Sequence, residues 1–359
     1  MICCTECFSD KQIKAIIKSC GQKGKCPICN YENVWLFDSS KNAYTTDFEE
    51  LLSSIIDIYV PESKLADDYP DEEKRSIEQH LLEDWNLFNI DEWGVKQIVK
   101  HIIEESWDID EQLLTQKVGI PKLYDELYLV ENSIMGTYEW EDFKKSLRNR
   151  NRFHDNHINL EVLREVLAGA KRTIPAGRNF YRARIAQDKE GFKRKEMGAP
   201  PDDVATAGRA NSKGISCLYL ASNKNTTVKE IRANAFDYVT IATFKLKRDV
   251  NIVDLSSITH NSPFYANTEK IKFLINEKHL KQIEKDLAKP VSSRDSDLDY
   301  LPTQYISDFA KSLGYDGVKY LSTFDKNAYN LALFDVDACS CVYHRTFEIG
   351  DLNYKLNKL

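Results

Sequence analysis

Cysteines are concentrated at the start of the chain, where six of the nine lie within the first 29 residues. They include two CxxC pairs, Cys4 with Cys7 and Cys26 with Cys29. Each pair makes a tight turn that directs two thiolates at one tetrahedral ion, and residues 8–25 separate the pairs by a distance typical of a four-cysteine zinc site. Four thiolates leave no open position for water, so the predicted zinc ion is structural. Cys3 and Cys20 remain, and either could replace one of the four ligands.

A second candidate site begins in the stretch GRANSKGISCLYLA, residues 208–221. Arg209, Asn211 and two glycines stand directly before a predicted buried strand that carries Tyr219. Glycine lets a backbone approach a ligand closely, and a guanidinium group offers a fork of donors suited to phosphate. The stretch therefore predicts one wall of a pocket for an anionic ligand.

Six short segments in the second half of the chain follow one another in a particular order, and four of them carry five polar residues of interest. The segments are FYRAR with Arg182, GRANSKGISCLYLA with Arg209 and Tyr219, NTTVKEIRA with Glu230, IVDL, LPTQYISDFAKSLGYDGVKYLS with Ser322, and YNLALF. In this order they resemble the RES domain, a bacterial family named for an Arg, a Glu and a Ser, over roughly residues 175 to 340. Ala210 departs from the family pattern, which has Trp after the Arg.

The resemblance implies an ADP-ribosyltransferase-like fold that binds NAD⁺ and breaks its nicotinamide–ribose bond. Members of the family are known mostly as toxins that deplete NAD⁺ by hydrolysis or phosphorolysis, and some modify a protein instead. By position, the resemblance implies four catalytic residues, Arg209, Tyr219, Glu230 and Ser322. The residues expected to bind the dinucleotide are Arg182, Arg209, Asn211, Tyr219 and Ser322.

The residue types also suit this reaction on chemical grounds. Cleavage of the glycosidic bond builds positive charge on the ribose, which the carboxylate of Glu230 would stabilise. Arg209, with Arg182, can hold the pyrophosphate, and the ring of Tyr219 offers a stacking surface for nicotinamide. Ser322 could anchor the nicotinamide amide or a phosphate. Taken singly, each of these residues also has a purely structural interpretation, such as a solvated loop charge or a core tyrosine.

Alternating and helical patterns predict the elements that position these residues. The predicted strands are NFYRARI (179–185), CLYLA (217–221), DYVTIATFKL (237–246), VNIVDL (250–255), DGVKYLS (316–322) and YNLALFDV (329–336). Helices are predicted at TTVKEIRANA, EKIKFLINEKHLKQIEKDLA and PTQYISDFAKSLG. This is the pattern of an α+β domain with mixed strands and helices, and we place its start after the junction Pro175-Ala176-Gly177.

The region before this junction divides in two. Residues 1–40 are predicted to form a zinc knuckle, in which Ser9 and Gln12 make a capping box for a helix that ends at Gly21. Residues 41–174 are predicted to be helical and to end with INLEVLREVLAGAKRTI, and residues 175–359 form the RES-like domain. The knuckle, the helices and the segment WEDFKKSLRNRNRF also resemble a HEPN-like module that accompanies some RES domains.

Arg148 and His154 offer a different chemistry within the helical region. Their separation by five residues is seen in RNA-cleaving HEPN helical bundles, where His would act as a general base while Arg holds the phosphate. The alternative is a polar turn at a helix end with solvated charges, which is common around short motifs of this kind.

Composition limits the class of protein. Of 359 residues, 42% are apolar and 29% charged, and the net charge of −7 disfavours a duplex-DNA binder, although it leaves a local basic pocket possible. The most apolar run, residues 51–60, is too short to span a membrane, and the N-terminus lacks a signal-peptide layout. We therefore expect a cytoplasmic protein with reduced thiols. Motifs for dinucleotide-dependent hydride transfer, ATP hydrolysis, zinc proteolysis and serine hydrolysis are absent.

The leading hypothesis from the sequence is an NAD⁺-degrading enzyme, a glycohydrolase or phosphorylase, that acts as a toxin or antiviral effector. One alternative is transfer of ADP-ribose to a protein or nucleic acid. Another is a nucleotide-sensing binding module without turnover. Because RES toxins are often paired with a neutralising protein, the resemblance also implies an antitoxin or regulatory partner.

Overall fold

The chain folds into two compact units in a computed structural model that describes residues 1–41, 45–106, 108–258, 263–264, 269–289 and 297–351. The first unit comprises Met1–Thr137 with Asn261–Glu277, and the second comprises Tyr138–His260 with Lys278–Leu359. The three domains expected from the sequence, with boundaries after residues 40 and 174, stay a prediction.

The first unit combines a small sheet with helices. Its elements are β1 (Ile2–Cys4), α1 (Lys11–Ser19), β2 (Gln22–Gly24), β3 (Val34–Asp38), α2 (Thr45–Ile56), β4 (Val60–Pro61), α3 (Ile77–Glu83), α4 (Glu92–Glu105), β5 (Val118–Gly119) and α5 (Glu126–Asn132). Strand β3 lies between β1 and β2 and is antiparallel to both. Phe8, Phe37 and Phe48 are fully buried in the core of the first unit, and their rings stack or meet edge to face.

The helix between the two CxxC pairs is capped differently from the prediction. Asp10, not Ser9, is the N-cap residue of α1, and its carboxylate accepts the backbone N–H groups of Gln12 and Ile13 at 2.9 Å each. The Ser9 hydroxyl donates instead to the carbonyl of Asn86. A carboxylate at this position also complements the positive end of the helix dipole, which favours Asp10 as the cap.

The second unit is a mixed α/β structure. Its elements are α6 (Trp140–Asn149), α7 (Leu160–Gly169), β6 (Lys171–Ile174), β7 (Asn179–Ala186), β8 (Leu218–Ala221), α8 (Lys224–Glu230), β9 (Tyr238–Leu246), β10 (Val250–Asp254), α9 (Leu255–Ile258), α10 (Lys270–Ala288), α11 (Leu301–Ser312), β11 (Gly317–Ser322), β12 (Asp325–Leu333) and β13 (Cys339–Glu348). Helix α10 begins in the first unit, because that unit includes Asn261–Glu277.

A large sheet organises the second unit. Within the described ranges its strand order is β13-β9-β7-β8-β12-β11-β10-β6. All neighbours pair antiparallel except β10 and β11, which are parallel. Phe180, Leu218, Phe244 and Leu331 form part of the core on one face of this sheet. The mixed α/β character predicted from the sequence is confirmed, and the ADP-ribosyltransferase-like topology stays a prediction.

Short strands β4 and β5 form within the range that the sequence predicted to be helical, and two strands of the second unit also differ from the sequence interpretation. Residues 171–174 form β6, where the sequence predicted the end of a helix, and β13 had no predicted element. Both are edge strands, and neither shows a clean alternation of buried and exposed side chains. An edge strand with little buried surface leaves no period-two signal to detect. Among the described residues, no helix combines the length and apolar character that a bilayer crossing requires.

Candidate active site

A cavity of about 340 Å³ in the second unit brings together four of the residues predicted from the sequence. They are Arg182, Arg209, Tyr219 and Glu230, which reach it from β7, the turn before β8, β8 and α8. The volume lies within the range of ordinary ligand pockets. Residues that are distant in the sequence therefore share one concave surface.

Glu230 is the last residue of α8 and is held by two hydrogen bonds. The hydroxyl of Ser322 donates to its Oε1 at 2.8 Å, and the Asn330 side-chain amide donates to the same oxygen at 2.7 Å. In the part of the chain that the structure describes, Oε2 has no hydrogen-bond partner. The carboxylate is thus oriented through one oxygen, while the other is available to a ligand in the cavity.

A tight turn over residues 208–211 presents Arg209. The backbone N–H of Gly208 donates to the carbonyl of Asn211 at 2.9 Å, which closes the turn. Gln304 on α11 donates its amide to the carbonyls of Gly208 and Asn211 at 2.8 and 2.9 Å. A Cβ at position 208 would lie 2.5 Å from the Tyr219 hydroxyl, so this position requires glycine.

The hydroxyl of Tyr219 holds the same turn. It accepts the backbone N–H of Ala210 at 2.9 Å and donates to Asn211 Oδ1 at 2.7 Å. Burial raises the pKa of Tyr219 well above its usual value, so the phenol is neutral at physiological pH. Because both functions of the hydroxyl are engaged, only the ring of Tyr219 is available to contact a ligand.

Two guanidinium groups line the cavity, and among the described residues neither has an acidic partner. Arg209 is only 9% exposed, and its NH1 donates to the carbonyl of Leu287 at 3.2 Å. Arg182 donates to the carbonyl of Tyr219 at 3.2 Å, and its Nε is buried without a partner in the described residues. Burial and the nearby Arg184 lower the pKa of Arg182 to about 10, which leaves it charged at neutral pH. Buried cations without carboxylates favour an anionic ligand.

Two of the predicted binding residues lie behind the cavity wall. The Asn211 side-chain amide donates to the carbonyls of Thr206, Ser212 and Ile215, and its oxygen accepts from Tyr219. The hydroxyl of Ser322 is engaged with Glu230. Direct contact of Asn211 and Ser322 with a dinucleotide stays a prediction, since this arrangement uses their polar atoms to hold the residues that line the cavity.

Arg184, the second arginine of the FYRAR segment, does not line the cavity. Its guanidinium donates to the carbonyl of Glu196 at 2.5 Å and lies 4.1 Å from the centre of the Phe192 ring. Of the two arginines in FYRAR, the structure therefore places only Arg182 at the cavity.

Sequence reasoning missed several residues of the site. Asn330 and Tyr320 lie opposite each other on β12 and β11 and line the cavity, as does Tyr300. Burial raises the pKa of Tyr320, and Arg209 opposes this shift only in part. The signal available in the sequence for Asn330 was its position at the start of the apolar run NLALF, because a buried amide must find a hydrogen-bond partner.

The cysteine cluster of the first unit has the geometry of a metal site. The thiol sulfurs of Cys4, Cys7, Cys26 and Cys29 all lie within 4.8 Å of one another, with neighbouring pairs 3.4 to 3.7 Å apart. A tetrahedral ion with metal–sulfur distances of about 2.3 Å separates its ligands by about 3.8 Å. The four thiols therefore fit one such ion. Cys3 and Cys20 lie outside this group, and the Cys20 thiol contacts the carbonyl of Ile16.

Arg148 and His154, the pair considered for RNA cleavage, lie around the end of α6. Arg148 forms an ion pair with Asp299. His154 is exposed in the following turn, where its backbone N–H donates to Asn151 Oδ1 at 3.3 Å and its carbonyl accepts from the Asn151 amide. These contacts are those of a polar turn, and the nuclease alternative stays untested.

A model of a known protein family matches the second half of the chain. Residues 179–356 match the model of the RES domain. None of the curated proteins matches the chain. Among solved structures, the crystal structure of the M. tuberculosis MbcT–MbcA toxin–antitoxin complex is similar over 52% of this chain and 92% of that chain, with 12% identity and a TM-score of 0.33. The RES resemblance of this region is confirmed, and the HEPN-like module stays a prediction.

Proposed function

We propose that the second unit binds NAD⁺ in the cavity around Glu230 and cleaves the nicotinamide–ribose bond. One observation carries this proposal most directly. A carboxylate held by Ser322 and Asn330 faces the same cavity as the guanidinium groups of Arg209 and Arg182, for which the described residues provide no acidic partner. The match of residues 179–356 to the RES domain supports the same substrate, because the resemblance to this family implies binding and cleavage of NAD⁺.

Each group has a role that follows from its chemistry. The two guanidinium groups bind the pyrophosphate of NAD⁺. The free Oε2 of Glu230 accepts a ribose hydroxyl and stabilises the positive charge that develops as the bond to nicotinamide breaks. The ring of Tyr219 contacts the nicotinamide, which leaves as a neutral base and needs no strong acid.

The acceptor of ADP-ribose distinguishes the possible reactions. Attack by water at the ribose carbon gives ADP-ribose, nicotinamide and a proton. Attack by inorganic phosphate gives ADP-ribose phosphate and nicotinamide. Attack by a side chain or a nucleotide base leaves ADP-ribose covalently attached to a macromolecule.

The test is to incubate the purified protein with NAD⁺ labelled in its adenine, with and without phosphate, and to identify the products by mass spectrometry. We expect nicotinamide together with free ADP-ribose or its phosphate. Label in protein or nucleic acid after addition of a cell lysate would indicate transfer instead. Saturable binding of NAD⁺ without any turnover in all three conditions would contradict the proposal and support a nucleotide-sensing module.

At the level of the cell, we propose that the protein is a toxin that depletes NAD⁺ and that a second protein neutralises it. The RES match supports this role, since the resemblance to this family implies a toxin. Expression should lower the cellular NAD⁺ pool before growth stops. Growth arrest with an unchanged NAD⁺ pool would contradict this proposal.

The first unit, we propose further, carries one structural zinc ion at Cys4, Cys7, Cys26 and Cys29. Three of these cysteines belong to the buried core of the unit, beside Phe8 and Phe37. Their thiolates would hold the ion, and bound zinc would supply a crosslink between the two CxxC turns.

A further inference from the structure

Strand β13 is an open edge of the sheet in the second unit. Among the described residues it pairs only with β9. It has ten residues, whereas strands of about five or six are typical. Tyr343 and Phe347 on one of its faces are 50% and 42% exposed. The unpaired N–H and C=O groups of such an edge are a template for another strand, and natural proteins rarely leave a long one unprotected.

We propose that β13 pairs antiparallel with β13 of a second copy of this chain, about a two-fold axis centred on Thr346. The two sheets would then form one continuous sheet. An interface of this type is self-complementary, because each contact between two different residues occurs twice.

The register follows from the sequence of the strand and from one irregularity. A two-fold axis at Arg345 would place two arginines opposite each other, which is destabilising. An axis at His344 or earlier would include the bulge between Cys341 and Tyr343, where the ladder is interrupted. An axis at Thr346 avoids both the pair of opposed arginines and the bulge.

The centred register also places complementary side chains opposite each other. His344 lies opposite Glu348 of the second copy, and an imidazole N–H can donate to a carboxylate whether the ring is neutral or charged. Arg345 lies opposite Phe347, and within one chain the guanidinium already sits 5.9 Å from the centre of that ring. Since each chain carries a net charge of −7, association without such specific contacts is disfavoured.

The proposal is tested by measuring the mass of the full-length protein by sedimentation equilibrium between about 1 and 100 µM, a range that brackets micromolar dimers. We expect a reversible dimer. His344→Glu places two carboxylates opposite each other at two positions, and Glu348→Lys removes at both positions the carboxylate that accepts from His344. Each should raise the dimer dissociation constant at least about tenfold. The double variant restores opposite charges and should restore the dimer. Glu105→Lys, on an exposed helix end of the first unit, is the control for Glu348→Lys, because the two substitutions change the charge equally.

Three outcomes would overturn the proposal. They are a wild-type chain that is monomeric throughout, a dimer that neither single variant weakens, and a double variant that stays as weak as the singles. A monomeric wild type would leave the edge to a strand of a different protein. Urea unfolding of each variant identifies any change that acts through the fold, and the rescue by the double variant cannot arise from unfolding.

Discussion

At the scale of single residues, the site depends on how one carboxylate is held. Both recorded donors to Glu230 fall on Oε1, so its orientation comes from the protein and not from the ligand. Orientation before the substrate arrives is what allows a fixed charge to stabilise a transition state without reorganisation. Ser322 and Asn330 are therefore positioning residues in this account.

Removal of the Ser322 hydroxyl tests this role. We expect Ser322→Ala to lower kcat about tenfold or more with little change in KM, because a hydrogen bond to a charged group contributes about 1.5–3 kcal/mol. Ser322→Thr keeps a hydroxyl at the same place and should recover most of the rate. Steady-state kinetics of NAD⁺ loss measure both variants. Equal rates for the Ala variant and the wild type would show that Ser322 does not orient Glu230.

Arg209 should act on binding more than on stability. Arg209→Gln removes the positive charge and the paired N–H donors of the guanidinium group. We expect the dissociation constant for NAD⁺ to rise about tenfold to a hundredfold, as for loss of charge-assisted hydrogen bonds. Its urea midpoint should not fall, because a buried guanidinium without an acidic partner costs stability. Isothermal titration and urea unfolding give the two quantities. Unchanged affinity with lost stability would assign Arg209 to the fold alone.

The sequence predicted the residues that reach the cavity better than those that hold them. Arg182, Arg209, Tyr219 and Glu230 stand in segments with a recognisable order, and the structure brings all four to one surface. Asn330 also stands in one of these segments, YNLALF, but its role was missed because that role depends on strand β12 lying beside β8 and β11. Pairing between distant strands is not encoded in any local pattern of residues.

At the scale of elements, the turn at residues 208–211 is the part of the site with the most support. Two elements hold it, because Tyr219 on β8 and Gln304 on α11 both form hydrogen bonds with it, and the bond from Gly208 to Asn211 closes it. A rigid turn places Arg209 without cost at the moment of binding. Gly208 and Tyr219, which the sequence placed in the same candidate stretch, lie in close contact in this turn.

Loss of the Tyr219 hydroxyl should loosen this turn. Tyr219→Phe leaves the buried Ala210 N–H and Asn211 Oδ1 without their partner, which should cost about 1–3 kcal/mol of stability and weaken NAD⁺ binding. Tyr329→Phe is the matched control, because the Tyr329 hydroxyl has no hydrogen bond to the residues that the structure describes. Urea unfolding of the two variants makes the comparison. Equal midpoints would show that the hydroxyl contributes nothing to the turn.

Apart from the short strands β4 and β5, the remaining differences between sequence and structure lie at the ends of helices and at the edges of the large sheet. Asp10 and Ser9 are both good N-cap residues, and only the contact of Ser9 with Asn86 decides between them. Strands β6 and β13 sit at the two edges of the sheet, where burial is incomplete. The central strands β7 to β12 were predicted from their apolar patterns to within a few residues at each end.

At the scale of the whole molecule, we expect the first unit to depend on the proposed zinc ion. Cys7→Ser removes one ligand, and we expect it to abolish stoichiometric zinc and to lower the unfolding temperature by on the order of 10 °C, because metal binding is coupled to folding. Cys20→Ser is the matched control, since its thiol lies outside the cluster. Metal analysis and calorimetry test this expectation. One zinc ion per chain in Cys7→Ser, with normal unfolding, would contradict it.

The most direct measurement of the central claim is the rate of NAD⁺ cleavage by Glu230→Gln. Glutamine keeps the size of the side chain and an oxygen for Ser322 and Asn330, but it presents a neutral amide to the cavity. We predict that kcat falls by at least about a hundredfold while the affinity for NAD⁺ changes by less than about threefold. Glu190→Gln, on an exposed loop away from the cavity, should behave as the wild type. An undiminished rate in Glu230→Gln would contradict the assignment of this carboxylate to the reaction.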